Sequence, residues 1–255
     1  MTKEYVQQYA RLERTHWWFL IRQKIILQFL KEHLPRKARE NLSILNIGAA
    51  AGASSEWLSV FGKVVSVETE PLFIAFLKDT NVAVTEASVI NLPFADNSFD
   101  LVCAFDVIEH VENDEQALKE MTRVCKNDAV LCLTVPACKS LWSRHDLVNG
   151  HFRRYNKQGW KTLSSNITHL TAIDTRYFNS ILFIPIWAAR KLSNIVRGNN
   201  DLQQSDFTYF KMPRIVNLLL KKIFSLELLM TKQLRFPFGV SLISFLKKNN
   251  SEPQK

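Results

Sequence analysis

Two residue sets in this chain have the types and spacing to do chemistry. The first is a turn of small residues, Gly48-Ala49-Ala50-Ala51-Gly52, directly after the apolar run Ser43–Ile47. Small residues suit a place where a ligand packs against bare backbone at a helix N-terminus. Glu68 closes the next β-branched run, Lys63–Val67, 16 residues beyond Gly52. A carboxylate at about that distance, roughly 20 residues past a glycine turn, accepts the two hydroxyls of a ribose. The chain has only 7 glycines in 255 residues, and two of them fall in this turn. The pattern reads as a nucleotide-binding unit.

The second set can move protons or hold an anion. His110 follows Glu109, and His145, Asp146, His151, Arg153, Arg154 and Tyr155 cluster in Pro136–Tyr155, a stretch with neither strand nor helix period. Long aperiodic segments in compact domains are usually functional or disordered, and this content of Trp, His, Asp and Arg favours function. Imidazole is the side chain that gains or loses a proton near neutral pH. An arginine pair suits a phosphate or carboxylate. The plain alternatives stand beside these: His110 satisfying backbone groups in a loop, and the arginines forming a solvated surface.

The elements that must position these residues alternate. Strands are expected at Ser43–Ile47, Lys63–Val67, Val82–Thr85, Leu101–Phe105 and Val130–Val135, with helices from Ser54, from Pro71 and over Asp114–Val124. Short β-branched runs between amphipathic stretches imply an α/β fold with a parallel sheet. An N-terminal helix is expected over Lys3–Leu34, with His16-Trp17-Trp18-Phe19 at its centre. Two late strands are expected at His169–Arg176 and Val240–Phe245. Helices over Phe178–Arg197 and Tyr209–Met230 lie between them, separated by a polar linker, Gly198–Ser205.

The composition, 47% apolar and 22% charged, is that of a globular chain and excludes disordered and collagen-like classes. The four cysteines, Cys103, Cys125, Cys132 and Cys138, form no metal-ligand spacing and read as buried free thiols in a reducing, cytoplasmic setting. The formal charge of +9 is uneven. Residues 151–255 hold 17 Lys and Arg against 5 Asp and Glu, a net +12. That asymmetry points to an anionic partner met by the C-terminal part. The basic residues are spread among apolar helix positions rather than in a dense stripe, which disfavours nucleic acid. They fit peripheral contact with an anionic membrane, against the alternatives of a helical cap or a dimer surface. The most apolar window, Tyr177–Ala189, is too short to span a bilayer.

The segment Leu92-Pro93-Phe94-Ala95-Asp96-Asn97-Ser98-Phe99-Asp100, followed by Asp106-Val107-Ile108-Glu109-His110-Val111, sharpens the reading. With the glycine turn and Glu68 it resembles the class I S-adenosylmethionine-dependent methyltransferases, of the broad group that contains the ubiquinone-biosynthesis O-methyltransferases. The likeness covers about Ile44–Val135. A narrower resemblance, to a bacterial subfamily of these enzymes, rests on His16–Phe19 with Arg22 and on Val135–Tyr155. The resemblance implies a Rossmann-like, doubly wound, seven-stranded sheet with an N-terminal helix (1–40), a nucleotide-binding core (41–136), a substrate or lid segment (137–160) and a helical insertion before the last strand (178–238), all in one domain. It also implies S-adenosylmethionine as cofactor.

By this resemblance Arg22, Asn46, Gly48, Ala49, Gly52, Glu68, Ser88, Val89, Phe105 and Asp106 form the cofactor site, with Arg22 toward the cofactor carboxylate and Ser88 and Val89 beside the adenine. Three positions depart from the family pattern: Asn46 stands where an acid is usual, Ala50 where a glycine is usual, and Ser88 where an acid often meets the adenine amino group. Ala50 fits if its φ is not positive. Methyl transfer from a sulfonium needs proximity, alignment and exclusion of water. A hydroxyl acceptor also needs a base, so the candidate catalytic residues are His110, His145, Asp146, His151 and Tyr155. In some relatives a Glu-His pair binds a divalent metal. Here Glu109 and His110 are two adjacent ligands without an identified third, so no metal is assigned. The expected acceptor is a small or lipid- or saccharide-linked molecule. The competing expectation is a non-catalytic module of the same fold that binds a partner.

Overall fold

The computed structural model describes residues 1–35, 40–196, 213–231 and 233–250, with the side chains of 193–196 left aside. The expected polar linker, Gly198–Ser205, lies outside the described residues. Seven strands form one sheet: β1 (Leu42–Ile47), β2 (Gly62–Glu68), β3 (Val84–Glu86), β4 (Phe99–Phe105), β5 (Cys125–Pro136), β6 (Leu170–Phe178) and β7 (Ser241–Lys248). Their order is β3-β2-β1-β4-β5-β7-β6. The first five are parallel, and β7 runs antiparallel between β5 and β6. The strand order reverses between β1 and β4. Open sheets bind ligands beyond the strand C-termini at such a point, and Gly48, Glu68 and Asp106 all lie there.

Alternation along the strands builds two cores, because successive side chains point to opposite faces. Leu45, Val102 and Leu131 pack with helices α5 (Asp114–Val124) and α7 (Lys157–Ser165). Ile44, Leu101, Cys103, Val130 and Cys132 face the other way, onto α2 (Trp17–His33) and α9 (Arg214–Met230). The cysteines are free thiols, and three of the four are buried. Asn113 caps α5 by accepting from the Gln116 N–H at 3.0 Å, and acids fill its first turn.

The expected single N-terminal helix is two. Helix α1 (Lys3–Thr15) ends at His16, whose backbone is extended at φ −77°, ψ 137°. His16 still bonds the Leu12 carbonyl, while its Nδ1 accepts from the Trp18 N–H at 3.3 Å. One residue thus closes α1 and caps α2, turning the chain so that Trp17 and Phe19 are buried. Helices α3 (Ala53–Leu58) and α4 (Pro71–Asp79) follow β1 and β2. The aperiodic stretch after β5 holds the short helix α6 (Arg144–Val148). Between β6 and β7 lie α8 (Phe183–Val196), which starts after the expected Phe178 because β6 runs on to that residue, and α9; the expected helix ends at Arg197 and Tyr209 lie outside the described residues. No described helix is long and apolar enough to cross a membrane.

Candidate active site

The glycine turn is a strained loop held by one acid. Gly48, Ala50 and Gly52 have φ of +68°, +47° and +89°. The condition on Ala50 therefore fails: an alanine occupies a left-handed position that costs a side-chain-bearing residue roughly 1–2 kcal/mol. Gly48 is required for space as well, since a Cβ there would come within 2.5 Å of Val107 Cγ2. The Glu68 carboxylate, 8% exposed, compensates part of the strain. Its Oε2 accepts from the Ala50 N–H at 2.8 Å, and its Oε1 from the N–H groups of Thr69 and Glu70 at 2.8 and 3.1 Å.

A cavity of about 820 Å³ opens over this turn. Arg22, Gly48, Ala50, Glu68, Ser88, Val89, Phe105 and Asp106 line it. Three residues expected at the cofactor are not in its wall. Ala49 and Gly52 are buried within the turn itself. Asn46 is wholly buried on the other side of β1, where its Nδ2 donates to Ser54 Oγ at 2.7 Å and Ser55 Oγ at 2.8 Å. Its amide ties β1 to the first turn of α3. Opposite the turn, Arg22 Nη2 donates to Asp106 Oδ2 and to Thr134 Oγ1, each at 2.7 Å. Its guanidinium lies over the Trp18 ring at 4.8 Å. Arg22 thus carries α2 onto the ends of β4 and β5, and His16, Trp17, Trp18 and Phe19 complete that wall.

The far end of the cavity is lined by His110, His145, His151 and Arg154. The 3₁₀ turn Ile108–His110 after β4 faces the post-β5 stretch, with the Phe152 N–H bonded to the Glu109 carbonyl at 2.7 Å. The His110 and His151 rings are 4.7 Å apart edge to face. Burial, with the neighbouring His151, lowers the His110 pKa. Asp146 does not line the cavity; it is fully buried and fixes His151 from behind. Burial alone would raise its pKa. Bonds from His151, Arg154 and the Ser143 N–H outweigh that and hold it well below the carboxylate range. Tyr155 also faces away: it is 6% exposed and its hydroxyl donates to Asp114 Oδ2 at 2.9 Å. Arg153 pairs with the same Asp114 at 2.8 Å and bonds the Glu112 carbonyl, while Arg154 bonds Asp146 and the Ala137 carbonyl. These two arginines and Tyr155 serve the loop's own structure.

Sequence reasoning left the metal question at two ligands, and the fold supplies a third. Glu109, His110 and His151 bring one ligand atom each to within 4.8 Å of one another. Glu109 is wholly buried, and among the described residues neither carboxylate oxygen has a hydrogen-bond partner. Burial, reinforced by Asp106, pushes its pKa well up. A buried carboxylate with both oxygens orphaned either stays protonated or meets a cation. Two imidazoles and a carboxylate suit a divalent transition metal, so the donor set fits. No sequence spacing paired His151 with Glu109; the 41 intervening residues fold back through the Phe152–Glu109 bond. The wall also takes Ile186 and Arg190 from α8 and Asn179 and Val240 from the β6 and β7 ends, contributions that no local pattern signals.

A sequence model described as "Methyltransferase domain" matches residues 45–133. An uncharacterized protein of Methanocaldococcus jannaschii is 30% identical over 148 residues, covering 58% of this chain and 61% of that protein. The chain therefore spans about three fifths of that relative. A Mycobacterium tuberculosis protein named "Probable S-adenosylmethionine-dependent methyltransferase" is 27% identical over 128 residues, covering 49% of this chain and 44% of that one. Among solved structures, a "putative sarcosine dimethylglycine methyltransferase" from Galdieria sulphuraria superposes with a TM-score of 0.61 at 14% identity, covering 91% of this chain and 86% of that one. Residues 45–133 thus match a methyltransferase-domain model by sequence, and most of the chain shares the Rossmann-like fold of such structures.

Proposed function

We propose that this chain transfers the methyl group of S-adenosylmethionine to an oxygen of a small or lipid- or saccharide-linked acceptor. The observation that carries the reading is one chamber with two chemically distinct ends. The glycine turn and Glu68 stand at one end, and His110, His145 and His151 at the other. Glu68 takes the ribose hydroxyls, Ser88 and Val89 flank the adenine, and Arg22 with Asp106 faces the methionine end. The methyl group leaves the sulfonium as the acceptor oxygen attacks in line. The S–C bond breaks as the O–C bond forms, and the sulfur keeps the electron pair. The acceptor proton passes to His110 or His151, both within the cavity wall. His110 is suited to receive it because burial keeps it neutral at pH 7. Were a divalent cation held there by Glu109, His110 and His151 instead, it would polarise the acceptor oxygen and lower its pKa, and the imidazoles would serve as ligands rather than as the base. Trp17, Trp18 and Phe19 exclude water from above. The buried free thiols accord with a reducing, cytoplasmic compartment.

Calorimetry with S-adenosylhomocysteine tests the cofactor half. The chain should bind it, and Glu68→Ala should cost about 1–3 kcal/mol, the loss of charge-assisted bonds. Unchanged affinity would remove Glu68 from the site. The left-handed Ala50 in the turn favours a second reading, a partner-binding module without turnover, because a side chain stands where the cofactor would pack on bare backbone. Cofactor binding without label transfer to any acceptor oxygen would select it.

A further inference from the structure

Helix α9 is apolar on both sides. Its inner side, with Leu220, Ile223 and Phe224, packs on α2 and the sheet. Its outer side carries Ile215, Leu219, Leu226 and Leu229 at 80, 55, 54 and 73% exposure, spaced to make one row along the helix. A helix of a soluble protein ordinarily shows water a polar outer face. Contiguous exposed apolar surface of this kind marks an interaction site. Helix α8 repeats the arrangement on the same side of the sheet. Ile186 turns inward, while Ile184, Trp187 and Leu192 are 66, 40 and 62% exposed.

Charge identifies what covers these faces. The described parts of α8 and α9 hold five basic residues, Arg190, Lys191, Arg214, Lys221 and Lys222, against one acid. That acid, Glu227, is wholly buried and accepts from the N–H groups of Ser180 and Ile181 at 2.7 and 3.0 Å. No carboxylate is therefore left on the outer surface of either helix. Among the described residues, Arg214, Lys221 and Lys222 make no ion pair. A second copy of the chain would set this cationic face against itself, which like charges disfavour. Apolar side chains interleaved with lysine and arginine, with a tryptophan at the margin, match the headgroup region of an anionic bilayer.

We propose that the outer faces of α8 and α9 dock on an anionic lipid surface. The proposal deepens the methyl-transfer reading, because Ile186 and Arg190 of α8 also wall the cavity. Docking would set that chamber one helix away from the lipid headgroups. Its test does not depend on turnover. The intact chain is floated with vesicles of phosphatidylcholine and phosphatidylglycerol, and with phosphatidylcholine alone, at about 50 and about 500 mM salt, where the Debye length falls well below 10 Å. Binding to the anionic vesicles should weaken at least about tenfold at high salt and be absent on neutral ones. Lys221→Gln/Lys222→Gln should weaken it about threefold or more, and Leu226→Gln/Leu229→Gln about tenfold or more. S-adenosylhomocysteine affinity should stay unchanged in both variants, which also certifies their folding. No flotation at low salt would overturn the proposal, as would equal flotation of the variants. Light scattering reads the remaining outcome: a dimer that Leu226→Gln/Leu229→Gln dissociates, with no vesicle binding, would make this face a copy interface and equally overturn it. Loss of S-adenosylhomocysteine binding in the unaltered chain would instead strike the proposed function and leave the docking result standing.

Discussion

Asp146 holds His151 from behind. Its Oδ1 lies 2.9 Å from His151 Nδ1, and the same oxygen accepts from Arg154 Nε at 2.7 Å. With Nδ1 engaged, Nε2 is the nitrogen left for the cavity, and a carboxylate partner fixes the ring's orientation as it does behind metal-bound imidazoles.

The first prediction follows from that arrangement. Asp146 is fully buried, and Arg154 beside it is 4% exposed. Asp146→Ala would strand a buried guanidinium and free the loop that carries His151. Removing one partner of a buried pair costs about 3–5 kcal/mol. A urea midpoint shift of that size is expected at pH 7. A shift below about 1 kcal/mol would place the loop's stability elsewhere.

The second concerns the cluster of Glu109, His110 and His151. Titration with Mn²⁺ or Zn²⁺ should show one site, with proton release, because burial holds the Glu109 carboxyl protonated and a cation must displace that proton. Replacing His151 with Ala should remove the site without unfolding the chain. Absence of any saturable site in the unaltered protein would return Glu109 to the role of a buried neutral acid.

Ala50 gives a third. At φ +47° its Cβ is in the left-handed region, so Ala50→Gly relieves strain while loosening the unfolded chain. The expected net gain is about 0.5–1 kcal/mol. Cofactor affinity should hold or improve, because the Ala50 N–H still reaches Glu68. Destabilisation by this variant would show that the methyl group's packing outweighs the backbone term.

What the sequence made legible divides along local and non-local lines. The five parallel strands, the glycine turn and Glu68 are short-range patterns, whereas the seven-stranded sheet was an implication of the family resemblance and its order is set by the tertiary pairing. The break at His16 was hidden because Trp17 and Phe19 continue the apolar period across it. Only the Trp18 N–H bonding back to His16 marks the corner. Tyr155 and Arg153 looked like substrate groups from their company. Their partner, Asp114, sits 41 residues before Tyr155 and 39 before Arg153, at the start of α5, and no local signal pairs them. His151 joined Glu109 by the same kind of long closure. Composition identifies side chains capable of chemistry, while tertiary contacts decide which of them fasten the scaffold.

Asn46 supports a fourth prediction that turns on the same distinction. The family's usual acid at this place made Asn46→Asp look favourable for the cofactor. Yet Asn46 is fully buried and donates to two serine hydroxyls. An aspartate there must rotate both hydroxyls toward itself or take up a proton. We expect a loss of about 1–3 kcal/mol in stability and little change in S-adenosylhomocysteine affinity. A clear gain in that affinity would mean the position acts on the cofactor through the turn.

The fifth prediction concerns acid. His16 caps α2 through an unprotonated Nδ1, and burial lowers its pKa to about 4. In the unfolded chain the same ring titrates near 6.5. Between those values the unfolded state binds a proton that the native state does not. Stability is therefore full above about pH 6.5 and falls as pH drops toward 4, by about 1.4 kcal/mol per unit at most. Partial solvent access to the ring reduces the total to roughly 2 kcal/mol. Protonation would also remove the cap, loosening α2 and with it Arg22 and the wall of aromatic side chains. His16→Asn keeps an N-cap acceptor without a titrating proton. Urea midpoints at pH 7 and 4.5 should therefore separate the two proteins: the unaltered chain loses about 2 kcal/mol more than the variant on acidification. Parallel losses in both would show that His16 already carries its proton in the native state or that its ring is solvated.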